Sequence, residues 1–133
     1  MRNALEAYQS VHKNTSSSRE LEAAVLFKAA RRLEDCVHQW GTDGHDSRLD
    51  EALRYNLRLW TFFQSELGEP NHPLPSEIRR NLLQLSGFVD RLTFSAMAAP
   101  TREKLPPLIN INRNIAAGLS QTPASQPALV AAS

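Results

Sequence analysis

A chain of 133 residues with 15 Lys+Arg against 14 Asp+Glu carries a net charge of +1 and is 41% hydrophobic. That is one domain's length, enough to bury a core without metal or disulfide staples, and the balanced charge argues against nucleic acid or a membrane surface as an electrostatic partner. Cys36 is the one cysteine, so no intramolecular disulfide can form; with no apolar leader run and no span of about 20 apolar residues, the expectation is a soluble cytoplasmic protein.

Alternating strand patterns are nearly absent and helical spacing runs through the chain. Residues 2–13 place Leu5, Tyr8, Val11 and His12 at helical spacing, which predicts a short first helix. Asn14-Thr15-Ser16-Ser17-Ser18 then interrupts, because such residues favour turns and caps. Ser17 followed by Glu20 is a capping-box pattern, which predicts a helix over 18–40. Its stripe is Leu21, Val25, Ala29, Leu33, Cys36 and Trp40. Gly41 is placed to end it.

After a short polar loop, Asp46 or Ser47 can cap a third helix. Leu49, Leu53, Asn56, Trp60, Phe63 and Leu67 mark its buried stripe, and Gly68 ends it. The connector Glu69-Pro70-Asn71-His72-Pro73-Leu74-Pro75 is stiff, since each proline fixes φ and removes a donor. Pro75 suits the first turn of a fourth helix. Ile78, Leu82, Leu85, Val89, Leu92 and Ala96 repeat there at four and three, the seam of a helical bundle. Leu85 and Val89 are expected to pack against the second and third helices. Gly87 costs about 1 kcal/mol against alanine in a helix, which close helix approach would offset.

Pro100 breaks this pattern. Thr101-Arg102-Glu103-Lys104 suggests one turn, and Pro106-Pro107 restart a fifth helix with Leu108, Ile111, Ile115 and Leu119 on one face. The expectation is an all-α, single-domain helical bundle of about five helices over residues 1–119. Residues 120–133, uncharged and rich in Ala and Ser, are expected to be a disordered tail.

Chemistry-bearing motifs are few. His12, His38, His45 and His72 show no metal-ligand spacing with each other or with Cys36. Cys36 lies on an apolar stripe, where a thiol behaves as a small hydrophobe. The pairs Glu34-Asp35 and Asp50-Glu51 point about 100° apart on a helix, and no glycine-rich phosphate loop or nucleophile elbow occurs. The expectation is therefore no catalytic site, no metal and no cofactor, and a protein that is not an enzyme. Arginines at 31, 32, 54, 58, 79, 80 and 91 are interleaved with acids, which weakens any field for phosphate, so direct nucleic-acid binding is not expected.

Two features stand out. Tyr55, Phe62 and Phe63 cannot all share one face with Trp60, so either all are core or one or more is exposed to a partner. In Leu108-Ile109-Asn110-Ile111-Asn112-Arg113-Asn114-Ile115 the helix propensity is weak, so tertiary contacts must hold the segment. Its asparagines are either surface residues or an organised polar network.

Several strings resemble the flagellar biosynthesis regulator FlaF family. They are Ala7-Tyr8-Gln9, Ser18-Arg19-Glu20-Leu21-Glu22-Ala23 and Lys28-Ala29-Ala30-Arg31-Arg32-Leu33, followed by Leu49-Asp50-Glu51-Ala52-Leu53-Arg54-Tyr55-Asn56 and Leu59-Trp60-Thr61. Asn71-His72-Pro73-Leu74-Pro75 and Leu85-Ser86-Gly87-Phe88-Val89 continue the likeness, and the string from Leu108 through Leu119 is its most specific part. The resemblance covers about residues 4–119. It implies a non-enzymatic factor of flagellum assembly, a chaperone that binds the flagellin monomer before export and acts opposite the flagellin-mRNA regulator FlbT. The alternative it leaves is a post-transcriptional regulator acting on flagellin mRNA or through FlbT. Residue type together with motif position nominates Tyr8, Tyr55, Trp60, Ile109, Asn112, Arg113 and Leu119 for partner binding.

Overall fold

Leucine and alanine at helical spacing, with Glu, Arg and Lys between them, give the chain strong helix formers in nearly every turn. The computed structural model describes residues 15–121. Four α-helices fill most of this span: α1 (Thr15–His38), α2 (His45–Leu67), α3 (Ser76–Ala98) and α4 (Leu105–Gln121), with a 3-10 turn, Arg102–Lys104, leading into α4. The fold is all-α, one bundle around one main core. The helix expected over 2–13, with Tyr8, lies outside the described residues, as does the chain after Gln121. Ser17, half of the expected capping box, lies where side chains are not described.

Helix ends depart from expectation in instructive ways. α1 starts at Thr15, ahead of 18, and ends at His38. A turn follows in which the Gln39 amide donates to the Asp35 carbonyl at 2.9 Å and the Thr42 amide to the Gln39 carbonyl at 3.1 Å. Gly41 (φ 79°) and Gly44 (φ 80°) both take the left-handed conformation, which only glycine adopts without cost. Gly44 is the N-cap of α2, not Asp46 or Ser47, and no side chain caps the helix. Trp40 closes this end, edge-on to His45 at 4.3 Å between ring centres. Pro75 is the N-cap of α3, one residue outside the first turn. Pro106 and Pro107 fall in the first turn of α4, where missing N–H groups break no helical bond.

The main core joins Leu26, Ala30 and Leu33 of α1, Leu53 and Trp60 of α2, Val89 and Ala96 of α3, and Leu108, Ile115 and Ala116 of α4. A satellite cluster of Leu67, Leu74 and Leu82 pins the proline-rich connector. That connector is also tied by Arg79 Nη1, which donates to the Glu69 carbonyl at 2.8 Å. The helices form a ring in chain order. α1 packs most extensively on α4, then α2 on α3 and α1 on α2, while α3 and α4 meet at few points. Val89 is buried as expected, but Leu85 is only partly buried, and α3 leans on α2, with α1 not among its main neighbours. Gly87 is not a point of close helix approach. A Cβ there would meet only Arg91 Nη1 at 3.7 Å, an ordinary contact.

Candidate functional site

α4 has two unlike flanks. Arg113 projects toward α1 and pairs with Glu34 across the interface. Ile111 lies two residues earlier, roughly 200° around the helix, and so faces the opposite flank, toward α3. There it is partly buried, as are Leu85 and Leu92 of α3. Phe88, between these two leucines on the same side of α3, is 44% exposed. The result is an apolar seam along the sparsely packed α3–α4 side, with the Arg91 guanidinium 6.0 Å from the centre of the Phe88 ring.

Behind the seam lies a continuous chain of buried hydrogen bonds. Trp60 Nε1 donates to Asn112 Oδ1 at 2.9 Å. Asn112 Nδ2 donates to Asn56 Oδ1 at 2.8 Å, and Asn56 Nδ2 donates to Thr93 Oγ1 at 3.1 Å. The Thr93 hydroxyl donates on to the Val89 carbonyl at 2.7 Å. Asn56, Thr93 and Asn112 are fully buried. Each amide donates once and accepts once, so the side-chain nitrogen and oxygen of both asparagines have a partner in the interior. Three helices are thereby registered: α2 through Asn56 and Trp60, α3 through Thr93, α4 through Asn112.

A family model described as flagellar protein FlaF matches residues 4–119. The chain belongs to the flagellar protein FlaF family. No curated protein and no solved structure matches it. In this FlaF-family chain no described helix is long and apolar enough to cross a membrane. No group of three or more His, Cys, Asp or Glu that could hold a metal occurs among the described residues.

The residues nominated from sequence fall into two sets. Trp60, Ile109, Asn112 and Leu119 are interior, so the closed bundle does not present them on its surface. Tyr55 and Arg113 reach the surface, on different sides of α1, and Tyr8 is outside the described residues. Of the three asparagines, Asn112 is the network member, while Asn110 and Asn114 are exposed. Among the aromatics, Trp60 is core and Tyr55, Phe62 and Phe63 are partly buried, Phe63 standing edge-on to Trp60 at 5.7 Å. Cys36 is buried, which pushes its thiol above the ordinary range despite the opposing pull of Arg48; near neutral pH it stays a protonated core side chain.

The exposed Phe88 and Phe94, and the buried Thr93 and Ser86, were not nominated. Their signals are present in the pattern. Ser86 and Thr93 occupy the stripe Leu82, Ser86, Val89, Thr93, Ala96, where a polar residue needs a partner. Phe88 and Phe94 are large apolar residues off that stripe.

Proposed function

We propose that this FlaF-family protein is a flagellin-binding chaperone and positive factor in flagellum assembly, acting by protein–protein contact through the α3–α4 side. Flagellar family membership supports the setting. The observation that carries the contact is the apolar seam of Leu85, Phe88, Leu92 and Ile111, left open where α3 and α4 meet sparingly. An amphipathic helix laid along such a seam buries its apolar stripe between two helices. Flagellin's terminal segments have that character and are covered fully only in the filament, so the monomer needs a temporary cover.

Titration calorimetry with purified monomeric flagellin tests the reading. A micromolar or tighter complex with a negative heat-capacity change is expected, since apolar surface is removed from water. Phe88→Ser should weaken it by more than about 1 kcal/mol, with an unchanged helical spectrum because the ring is exposed. No binding at tens of micromolar would sink the chaperone reading and favour action on flagellin mRNA or through FlbT.

A further inference from the structure

The side of the bundle opposite the α3–α4 seam is of another kind. Leu21, Val25, Lys28 and Arg32 of α1 are spaced at four, three and four, and Glu51, Tyr55, Arg58 and Phe62 of α2 repeat the same spacing. The two rows run along neighbouring flanks of α1 and α2 and are joined at Tyr55, where they border a groove. At its middle, the Arg32 guanidinium lies 4.7 Å and Lys28 Nζ 5.5 Å from the centre of the Tyr55 ring. Arg58 is close enough that it and Arg32 both favour the phenolate, although burial dominates and raises the Tyr55 pKa.

Toward the α1–α2 loop the groove widens into a polar cleft of about 320 Å³, lined by Arg32, Asp35, Gln39, Arg48, Glu51 and Ala52. Arg48 is anchored by donating Nη2 to the Asp43 carbonyl at 2.8 Å. Its Nη1 is buried and has no partner. Neither the three cations around Tyr55 nor the charges in the cleft make an ion pair among the described residues; the acids Asp50 and Glu34 are engaged by Arg54 and Arg113 instead.

We infer that this groove is a second docking site, and that it takes an acidic amphipathic segment of a polypeptide. Carboxylates on that segment would meet Lys28, Arg32 and Arg58, which are exposed. The partly buried Leu21 and Val25 offer apolar contact along the same row. Two observations favour polypeptide over nucleic acid. Arg32 and Lys28 already engage the Tyr55 ring, which takes away a platform on which a base would stack. Asp35 and Glu51 repel a uniformly charged phosphate backbone, whereas a polypeptide can set a cation opposite them. The chain would then hold two partners at once, one by apolar contact and one by charge, on opposite sides of the bundle.

The test uses the full chain and three fluorescent probes: an amphipathic peptide of about 20 residues with Leu on one stripe and Glu on its flanks, the same peptide with Lys for Glu, and oligouridylate of equal charge. Anisotropy at low salt should show the Glu peptide binding, roughly tenfold or more tighter than the Lys peptide or the RNA, and weakening as salt rises. The doubly substituted Arg32→Glu/Arg58→Glu chain should reverse the preference between the two peptides. These residues are exposed, and a matching Arg32→Gln/Arg58→Gln chain, with an unchanged thermal transition, should bind neither peptide well. Equal or tighter RNA binding, no Glu-peptide binding, or binding unaffected by the charge reversal would each overturn the proposal. None of these outcomes depends on whether flagellin binds the other side.

Discussion

α4 is held differently on its two flanks. Against α1 it meets small and branched apolar side chains, among them Ala23, Leu26, Ala30 and Leu33. The small residues let the two helices approach closely, and this is the most extensive helix interface in the bundle. Against α2 and α3 the link is the asparagine chain from Trp60 to Thr93, and beyond it the apolar seam is open. Apolar packing is non-directional and survives small shifts. A buried amide pair is directional and fixes one register, because a misaligned amide is a desolvated one. The α1 flank therefore supplies most of the holding energy of α4, and the amide flank sets where α4 sits relative to α2 and α3.

Substitutions at three positions of α4, with one partner change at Asn56, can break or sharpen that contrast. The largest effect should come from Leu108→Ala, which empties a fully buried site in the main core. A loss of about 2–5 kcal/mol is expected from denaturant unfolding; a loss below about 1 kcal/mol would mean that the α1 flank is not what holds α4. Asn112→Ala comes next. It strands the Trp60 N–H and the Asn56 carbonyl in the interior, and should cost about 2–3 kcal/mol. A double-mutant cycle with Asn56→Ala should show coupling of at least about 0.5 kcal/mol, and strict additivity would mean that the amides are not acting as one network. The smallest effect should follow Arg113→Ala, which removes an ion pair whose partners are both substantially solvated. A change within about 1 kcal/mol is expected in the same unfolding measurement, and a larger one would place part of the α1–α4 holding energy in charge.

Much of this was legible in the sequence, and the reasons are local. The stripes of α1 through α4 follow from helical spacing, and the weak propensity of Ile109 to Asn114 correctly required tertiary support. What the spacing could not give is pairing between distant positions. Asn112 and Asn56 lie 56 residues apart, and nothing in either neighbourhood says that one amide completes the other. Gly44 at the N-cap was obscured by two conventional capping residues just beyond it. The openness of the α3–α4 side depends on how far two helices approach, which a single helix's pattern does not encode. The grouping of Lys28, Arg32 and Arg58 around Tyr55 was hidden for the same reason: along the chain these cations alternate with acids, and only the α1–α2 packing brings them together on one ring.

The ring order of the helices carries a consequence for biosynthesis. The most extensive interface joins the first and the last of the four helices, Thr15–His38 and Leu105–Gln121. During synthesis at about 5–20 residues per second, α1 waits several seconds for the segment that covers its apolar stripe. The two left-handed glycines let α1 and α2 fold back on each other early, because their contacts are local. That hairpin leaves Leu26 and Leu33 without the side chains of α4, so the nascent chain itself passes through a stage with an uncovered apolar helix. The bundle is therefore complete only once its last helix covers the α1 stripe.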